Sequence, residues 1–169
     1  ALTMGNAFGA RAALERTPVV LRGWEWDYLR GQIDRSNRTV RFAARLERWT
    51  SVAPDGAHVV GGAPDGGAVV IDTATGAERR RFHGVPAVDG GAFLADGRRV
   101  ALARVGGALD VVDVETGAVV RTFPPEAGRT RRCDALAASP HGSVVVESRN
   151  VDKTRLRVVD VDAGTSTLH

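Results

Sequence analysis

The stretch AFLADGRRVALARVGGALDVVDVETGAVVRTF, residues 92–123, decides the fold of this chain. It contains an Asp96-Gly97 turn, an apolar strand, a second strand that ends at Asp113, a Thr116-Gly117 turn and a last strand that ends at Phe123. Glycine at these turns supplies the positive φ that tight hairpins require. The stretch therefore predicts a meander of antiparallel strands.

The same unit occurs twice more, at residues 51–82 and 137–168. The first turn recurs with spacings of 41 and 45 residues and the second with spacings of 41 and 47, at Gly56, Gly97 and Gly142 and at Gly76, Gly117 and Gly164. A period of roughly 40–45 residues is typical of a four-stranded propeller blade. We therefore predict an all-β fold, a partial β-propeller of about three four-stranded antiparallel blades at about 46–83, 90–124 and 134–169, within a propeller region of residues 38–169.

Alternation and apolar runs place the individual strands. We predict them near 48–53, 58–62, 68–72 and 79–82, near 91–94, 100–104, 109–113 and 119–123, and near 135–139, 144–148, 156–160 and 166–168. A further strand is expected from Arg38, because Val40 and Phe42 alternate with Arg41 and Ala43.

Residues 1–37 predict a short helical segment in place of strands. Helix-forming residues at 6–16 follow a candidate Asn6 cap and stop at Pro18. In the next stretch Leu21, Trp24 and Tyr28 fall on one helical face. We interpret that apolar arc as a face packed against another element, with an exposed aromatic binding face as the alternative.

Three blades cannot close a ring, because propellers typically contain about 4–8 blades. We therefore favour the interpretation that the chain is a fragment of a larger repeat protein; the alternative is that the N-terminal helices or another chain cover the open flanks. Open blade edges left uncovered predict association.

Composition is that of a globular chain, with 43% hydrophobic and 25% charged residues. No apolar run approaches the roughly 18 residues needed to span a membrane. The single cysteine, Cys133, excludes an internal disulfide and is expected to be a small buried residue of an inner strand. One cysteine also favours a reducing compartment such as the cytoplasm, and nothing else in the chain indicates a location.

The motifs that carry catalysis or hold cofactors do not occur. The Gly-Gly pairs at 61–62 and 66–67 precede a Val-rich strand, whereas a phosphate loop needs a helix N-terminus. Asp160, Asp162 and Gly164 have the opening spacing of a calcium loop without its final carboxylate, so a hairpin turn is favoured. The histidines lack ligand spacing; they are His58, His83, His141 and His169. We predict no catalytic, cofactor-binding or metal-binding residue, and no enzymatic activity.

Charge is concentrated near the start of the propeller region. Five arginines at 35, 38, 41, 45 and 48 are accompanied by one acid, Glu47. A solvated outer strand with its loops is the favoured interpretation, and a stripe that binds an anion or nucleic acid is the alternative.

The blades resemble WD40-type repeats: the strands that end in Ile71-Asp72, Val112-Asp113 and Val159-Asp160 keep the Asp of the Trp-Asp signature but not its Trp. They equally resemble YVTN-type repeats. The segment Leu21-Arg22-Gly23-Trp24-Glu25-Trp26 is similar to the helical element that precedes the WD40 array in bacterial, largely planctomycete, multidomain proteins. That resemblance implies a parent protein that often carries a Ser/Thr kinase domain and a membrane helix outside these residues.

The function that follows is a non-catalytic scaffold for protein–protein interaction. Stacked blades display loops on two faces, where a protein or peptide partner, not nucleic acid, is expected to bind. The alternatives are a ligand-binding or enzymatic propeller with its groups in the central channel, and anion or nucleic-acid binding through residues 35–48.

Overall fold

A computed structural model of the protein describes residues 13–32, 40–82, 87–126, 132–149 and 156–169. The chain forms two compact units, Ala1–Thr39 and Val40–His169. The second unit contains three four-stranded antiparallel sheets, here called blades 1, 2 and 3. The predicted fold class, a partial β-propeller of three such blades with a short N-terminal helical segment, is confirmed.

The described strands are β1 Glu47–Val52, β2 His58–Gly62, β3 Ala68–Asp72 and β4 Glu78–Phe82 in blade 1; β5 Val88–Phe93, β6 Arg99–Arg104, β7 Leu109–Asp113 and β8 Val119–Phe123 in blade 2; and β9 Cys133–Ala138, β10 Val144–Arg149, β11 Leu156–Asp160 and β12 Thr165–Leu168 in blade 3. In every blade each strand pairs with the next along the chain, so each sheet is a simple meander. The predicted strand positions agree to within one or two residues except at β5.

Strand β5 begins at Val88, three residues before the predicted position. The difference covers Val88, Asp89 and Gly90, because an Asp-Gly pair is typical of a turn but here lies inside a buried strand. A Cβ on Gly90 would meet Cys133 Sγ at 3.3 Å, and one on Gly91 would overlap the Trp49 ring. Glycine is required there because the inner strands of three blades approach one another closely.

Each inner strand, β1, β5 and β9, also contains a β-bulge near its start. In β1 the bulge places Arg48 at φ 62°, the one non-glycine residue with positive φ in the described parts of the chain. Bulges bend a strand and increase its twist. They occur where each inner strand begins.

The strand predicted from Arg38 is not formed in the described residues 40–46, which are irregular, while Arg38 itself lies outside the described residues. The alternating pattern alone cannot make a strand, because a strand needs a partner to satisfy its backbone groups. Here Ala44 and Leu46 instead pack against Ala63, Val69 and Ile71 of blade 1. The segment covers the face of blade 1 that looks away from blade 2.

The core lies between the sheets. Between blades 1 and 2, Val60 and Val70 pack with Val100, Leu102 and Val112. Between blades 2 and 3, a second cluster is formed by Leu94, Ala101, Ala103, Leu109, Val111, Phe123, Val145, Val159 and Val161. Both faces of blade 2 are therefore buried.

Blade 3 has one covered face and one uncovered face. Val145 and Val159 are fully buried toward blade 2, whereas Val146 and Val158, a cross-strand pair on the other face, are only half-buried. Leu156 beside them is 46% exposed. This is the open blade flank that the sequence predicts.

In the first unit, residues 13–15 are helical, Val19–Leu21 form a 3₁₀ turn and Trp24–Gln32 form helix α1. The Trp26 Nε1 group donates to the Leu14 carbonyl at 2.8 Å, and the guanidinium groups of Arg22 and Arg30 lie 4.7 and 5.1 Å from its ring centre. Cation–π contacts of this kind favour indole rings. The rest of the predicted helix at 6–16, with Asn6, lies outside the described residues.

Within the first unit, Trp24 and Tyr28 of the apolar arc are 73% and 60% exposed, whereas Trp26 is half-buried. None of the described helices is long and apolar enough to cross a membrane.

Candidate interaction surface

Two turns of each blade lie at the same end of its sheet, and together they form a surface that we call the turn face. In blade 1 these turns are residues 53–57 and 72–77. The Thr73 N–H donates to the Ala57 carbonyl at 3.0 Å, and the Thr73 hydroxyl donates to the Gly56 carbonyl at 2.7 Å. The corresponding bonds join Val114 to Arg98 and Val161 to Ser143. The turn face is therefore a set of rigid, cross-braced loops.

The repeated Asp-x-x-Thr-Gly sequence builds the second turn. The backbone N–H and the hydroxyl of Thr75 donate to Asp72 Oδ1 at 2.7 and 2.9 Å, and those of Thr116 donate to Asp113 in the same way. These hydrogen bonds hold the pKa of Asp72 and of Asp113 below the ordinary value of 3.8. The signature aspartates therefore have a structural role in the turn.

The calcium-like spacing in blade 3 belongs to the same kind of turn, as predicted. The N–H groups of Asp162 and Ala163 donate to Asp160 Oδ1 at 3.1 and 2.9 Å. Across the parts of the chain that the structure describes, no group of three or more His, Cys, Asp or Glu side chains is placed to hold a metal ion.

Ion pairs cross both blade junctions at the turn face. Arg79 of blade 1 donates to Glu115 of blade 2 at 2.6 Å, and Arg99 of blade 2 donates to Asp162 of blade 3 at 2.7 Å. Glu115 and Asp162 occupy the same position of the repeat. Each arginine lowers the pKa of its partner carboxyl below its ordinary value.

Arg99 also bonds within its own blade, to Asp96 at 2.5 Å. Burial raises the pKa of Asp96, but the hydrogen bonds from the side chain and backbone of Arg99 and from the backbone of Arg98 outweigh it and leave that pKa lowered. At the first junction Arg79 also lies 2.9 Å from His58 Nε2. His58 is thus held on the turn face by a neighbouring arginine.

A cleft of about 610 Å³ opens on the turn face between blades 1 and 2. Its lining consists of Asp55, His58, Arg79, Asp96, Gly97, Arg98, Asp113, Val114, Glu115 and Thr116. Four carboxylates and two guanidinium groups contribute, so acidic side chains outnumber arginines by two in the lining. Its charged groups come from the turns of both blades.

A second groove, of about 500 Å³, follows the inner strands on the side of the propeller axis. Its walls come from β1, β5 and β9, and its polar side chains are the hydroxyls of Thr50, Ser51 and Ser139. Among the described residues of this lining there is no carboxylate, imidazole, amine or thiol. The inner strands themselves do contain titratable side chains outside this lining, at Glu47, Asp89, Cys133 and Asp134.

The other residues singled out in the sequence are dispersed. Cys133 lies in an inner strand as predicted, but it is half-buried, and its Sγ is 3.3 Å from the Ala135 carbonyl. Gly61, Gly62 and Gly67 are buried within sheet and turn. His141 and His169 are exposed, and His83 lies outside the described residues. Three of the five clustered arginines, Arg41, Arg45 and Arg48, are exposed. The other two, Arg35 and Arg38, lie outside the described residues.

Sequence analysis missed the buried charges. Arg157 is 3% exposed; it donates to the Pro124 carbonyl at 2.9 Å and lies 3.7 Å from Glu147, which is 1% exposed. Asp110, also buried, accepts from Arg104 at 2.5 Å and from Thr122 at 2.6 Å. A charge in the middle of a Val-rich strand, as in LDVVD and LRVVD, is the signal that could have identified them.

Two of the charged groups join blades 2 and 3 at the end opposite the turn face, whereas the Asp110 network lies within blade 2. The second donor of Arg157 reaches the Gly107 carbonyl of blade 2 at 3.3 Å. Asp89, at the bulge of β5, pairs with Arg132 at 3.1 Å. Each of these charges has a partner of opposite sign, which is the usual condition for burying an ion.

No protein family matches the sequence, and no curated protein matches it. Among solved structures, the chain is similar to Kuenenia stuttgartiensis hydrazine synthase, with a TM-score of 0.57 and 21% sequence identity. The similarity covers 72% of this chain and 36% of that chain, so the residues matched here are about a third of the neighbour's length. That neighbour contains a β-propeller, and at this identity the likeness shows the fold alone: the chain is a partial β-propeller.

Proposed function

We propose that this part-propeller is a non-catalytic module that binds a protein or peptide partner on its turn face. The observation that carries the proposal is the cleft between blades 1 and 2, which combines a volume of about 610 Å³ with charged side chains from two blades. Cross-braced turns and junction ion pairs keep those side chains in place, which lowers the entropy cost of binding.

The charge of the cleft indicates the chemistry of the partner. With two more acidic side chains than arginines, the lining fits an extended segment that carries Lys or Arg. Glu115 and Asp55 are exposed and are the carboxylates best placed to meet such a segment. The described lining of the inner-strand groove has no titratable side chain, so that groove offers no group for general acid–base chemistry.

The test is capture of partners from a bacterial lysate on the immobilised full chain, followed by titration of the identified partner. A double variant, Asp55→Asn with Glu115→Gln, removes two charges from the cleft and is expected to weaken binding at least about tenfold. Arg45→Gln, which changes an exposed charge outside the cleft, serves as the matched control. Equal affinity of all three proteins would overturn the assignment to this cleft.

A second candidate function rests on the exposed arginines at 41, 45 and 48. Arg45 is 83% exposed in its side chain and has only a loose ion pair with Glu47, at 3.9 Å. Binding of a heparin fragment or duplex DNA through this segment would weaken steeply with salt and would be reduced by Arg45→Gln. The same Arg45 variant therefore separates the two functions, because only one of them depends on it.

We further propose that the module works within a larger WD40-type protein that supplies the remaining blades of a closed ring. The recurring Asp at the end of each third strand supports this relation, which stays a prediction.

A further inference from the structure

The cleft between blades 1 and 2 contains one histidine, His58, which is half-buried at the start of β2. Histidine is the side-chain type that ordinarily changes its charge between about pH 5 and pH 8. Arg79 Nη1 lies 2.9 Å from His58 Nε2. A guanidinium group has donors only, so Nε2 must accept this bond from a neutral ring that carries its proton on Nδ1. The contact between Arg79 and His58 therefore exists in one protonation state of the histidine.

Arg79 is held from two sides by this contact and by an ion pair. Its second terminal nitrogen donates to Glu115 of blade 2 at 2.6 Å, so the guanidinium joins a neutral ring to a carboxylate across the junction. A proton on His58 Nε2 would replace the acceptor by a donor and would place a second positive charge beside Arg79. Protonation would therefore break the contact on the blade 1 side of Arg79.

The junction between blades 2 and 3 is built without a histidine. Arg99 has the position in blade 2 that His58 has in blade 1, since each begins the second strand of its sheet. Arg99 is held by two carboxylates, Asp96 at 2.5 Å and Asp162 at 2.7 Å. The pKa values of both are lowered, so both remain charged throughout the range in which a histidine titrates. Only the junction that forms the cleft contains this neutral acceptor.

The other charged groups around His58 are mostly carboxylates. Asp72 pairs with His58 across the sheet from β3, and hydrogen bonds from Thr75 and, to a smaller extent, attraction to His58 lower its pKa. The charged residues that line the cleft with His58 are Asp55 of the adjoining turn, Arg79 of β4, and Asp96, Arg98, Asp113 and Glu115 of blade 2. A positive charge on His58 would be attracted by these carboxylates and would compete for them with a cationic partner.

We propose that His58 is a pH-sensitive switch in this cleft, which binds a cationic segment while His58 is neutral and releases it as His58 takes up a proton. The inference rests on the proposed function, because it concerns how strongly the same cleft binds a segment that carries Lys or Arg. Neutral His58 adds no charge and fixes Arg79. Protonated His58 adds a positive charge, releases Arg79 on one side and engages carboxylates that the partner needs. The added charge and the loss of preorganisation both weaken binding.

The test uses a tetra-arginine peptide with blocked termini and a rhodamine label. Its side chains keep their charge at every pH used, so any dependence on pH belongs to the protein. Fluorescence anisotropy follows its titration with the full chain at constant ionic strength, at about pH 8 and about pH 5.5. Kd is expected to rise at least about fivefold at the lower pH, which is the factor for one added unit charge about 4 Å from the probe in water.

Variants of the full chain assign the dependence on pH to one residue. His58→Gln keeps a neutral acceptor for Arg79, and its Kd is expected to be the same at both pH values. His141→Gln is the matched control, because His141 is an exposed histidine on the first turn of blade 3 and is not part of the cleft lining. This variant should keep the dependence on pH of the unchanged protein.

A second measurement does not depend on the probe. Nitrogen-15 chemical shifts of the histidine rings at about pH 8 report which ring nitrogen holds the proton, and the spectrum of His58→Gln identifies the signals of His58. The proton should be on Nδ1 in the unchanged protein, and Arg79→Leu should remove this preference because the donor to Nε2 is lost.

The outcomes separate the switch from the proposed function. Equal Kd at both pH values, an unchanged pH dependence in His58→Gln, or a proton on Nε2 at about pH 8 would each overturn the switch and leave the proposed function standing. A probe that binds at neither pH, or that binds equally to the double variant Asp55→Asn, Glu115→Gln, would overturn both.

Discussion

Blades 2 and 3 have the same four-stranded meander but different surroundings. Ala101 and Val111 of blade 2 are fully buried against blade 3, whereas the equivalent residues of blade 3, Val146 and Val158, are half-buried at the open flank. The residues at these positions are similarly apolar in both blades. A residue's place in the repeat therefore sets which face it occupies, and the neighbouring blade sets how much that face contributes to stability.

The largest expected effect on stability comes from placing a carboxylate at Val111 of blade 2 and, for comparison, at the equivalent Val158 of blade 3. Val111→Asp should reduce the free energy of unfolding by about 3–5 kcal/mol, because its carboxylate would be buried without a partner. Val158→Asp, on the half-buried face, should cost less than about 1 kcal/mol. Urea unfolding followed by circular dichroism measures both. Similar losses for the two variants would show that the flank of blade 3 is covered in solution.

The second largest effect on stability is expected at the buried ion pair of blade 3, between Arg157 and Glu147. Blade 2 has Leu102 at the position that is equivalent to Glu147. Arg157→Met should destabilise the protein by about 3 kcal/mol, because Glu147 would lose the opposite charge beside it. The double variant with Glu147→Leu restores an apolar pair and should recover more than half of that loss. The urea midpoints of the two variants measure this recovery. A double variant that is no more stable than Arg157→Met would contradict the prediction.

The third effect compares the turn glycines of blades 1 and 2, which have φ 75° and 76°. Gly117→Ala should cost about 1 kcal/mol for the left-handed conformation alone, since its built Cβ has no contact closer than 3.7 Å. Gly76→Ala should cost about 2 kcal/mol, because its Cβ also meets the backbone of Arg41. Thermal unfolding of both variants tests whether residues 40–42 pack on blade 1. Equal shifts in Tm would show that they do not.

The smallest expected effect is a loss of thermal stability at low pH, to which blades 1 and 2 both contribute. The pKa values of Asp72 and Asp113 are lowered in the folded protein, so these groups contribute stability above their ordinary pKa of 3.8. That contribution is lost as pH falls through the lowered folded-state values. Tm should therefore fall below about pH 4, and it should fall less steeply in the double variant Thr75→Val, Thr116→Val, which lacks the hydroxyl donors. Scanning calorimetry between pH 6 and pH 2.5 provides the comparison, and identical pH profiles would count against this role of the threonines.

Local sequence was enough to predict most of the strands and turns. The Asp-Gly pairs at 55–56, 65–66 and 96–97 and the Thr-Gly pairs at 75–76 and 116–117 form hairpin turns, and Val-rich runs between them form strands because their backbone and side-chain preferences agree. The Asp160 turn was predicted correctly for the same reason. The start of β5 was not, because Asp89-Gly90 is a pair typical of turns that here lies within a strand, where Cys133 of blade 3 approaches Gly90.

The candidate site was less predictable from sequence. Asp72 and Asp113 could be recognised as repeated positions, but the cleft depends on Arg79 and Glu115, which meet across a blade junction while lying 36 residues apart in the chain. For residues 40–42 the sequence pattern was recognised but the conformation was not predicted correctly. Their pattern is that of a strand, but they lack a strand partner among the described residues, and so the pattern alone could not decide their conformation.

By itself, the sequence determined the repeat, most of its turns and the two faces of the regular strands, since turn chemistry and period-two alternation act over a few neighbouring residues. Tertiary structure alone decided which of those faces are buried, which glycines meet a neighbour and which charges pair across blades. The reason is that burial and ion pairing depend on the element that packs against a residue, and that element lies about forty residues away in the next blade.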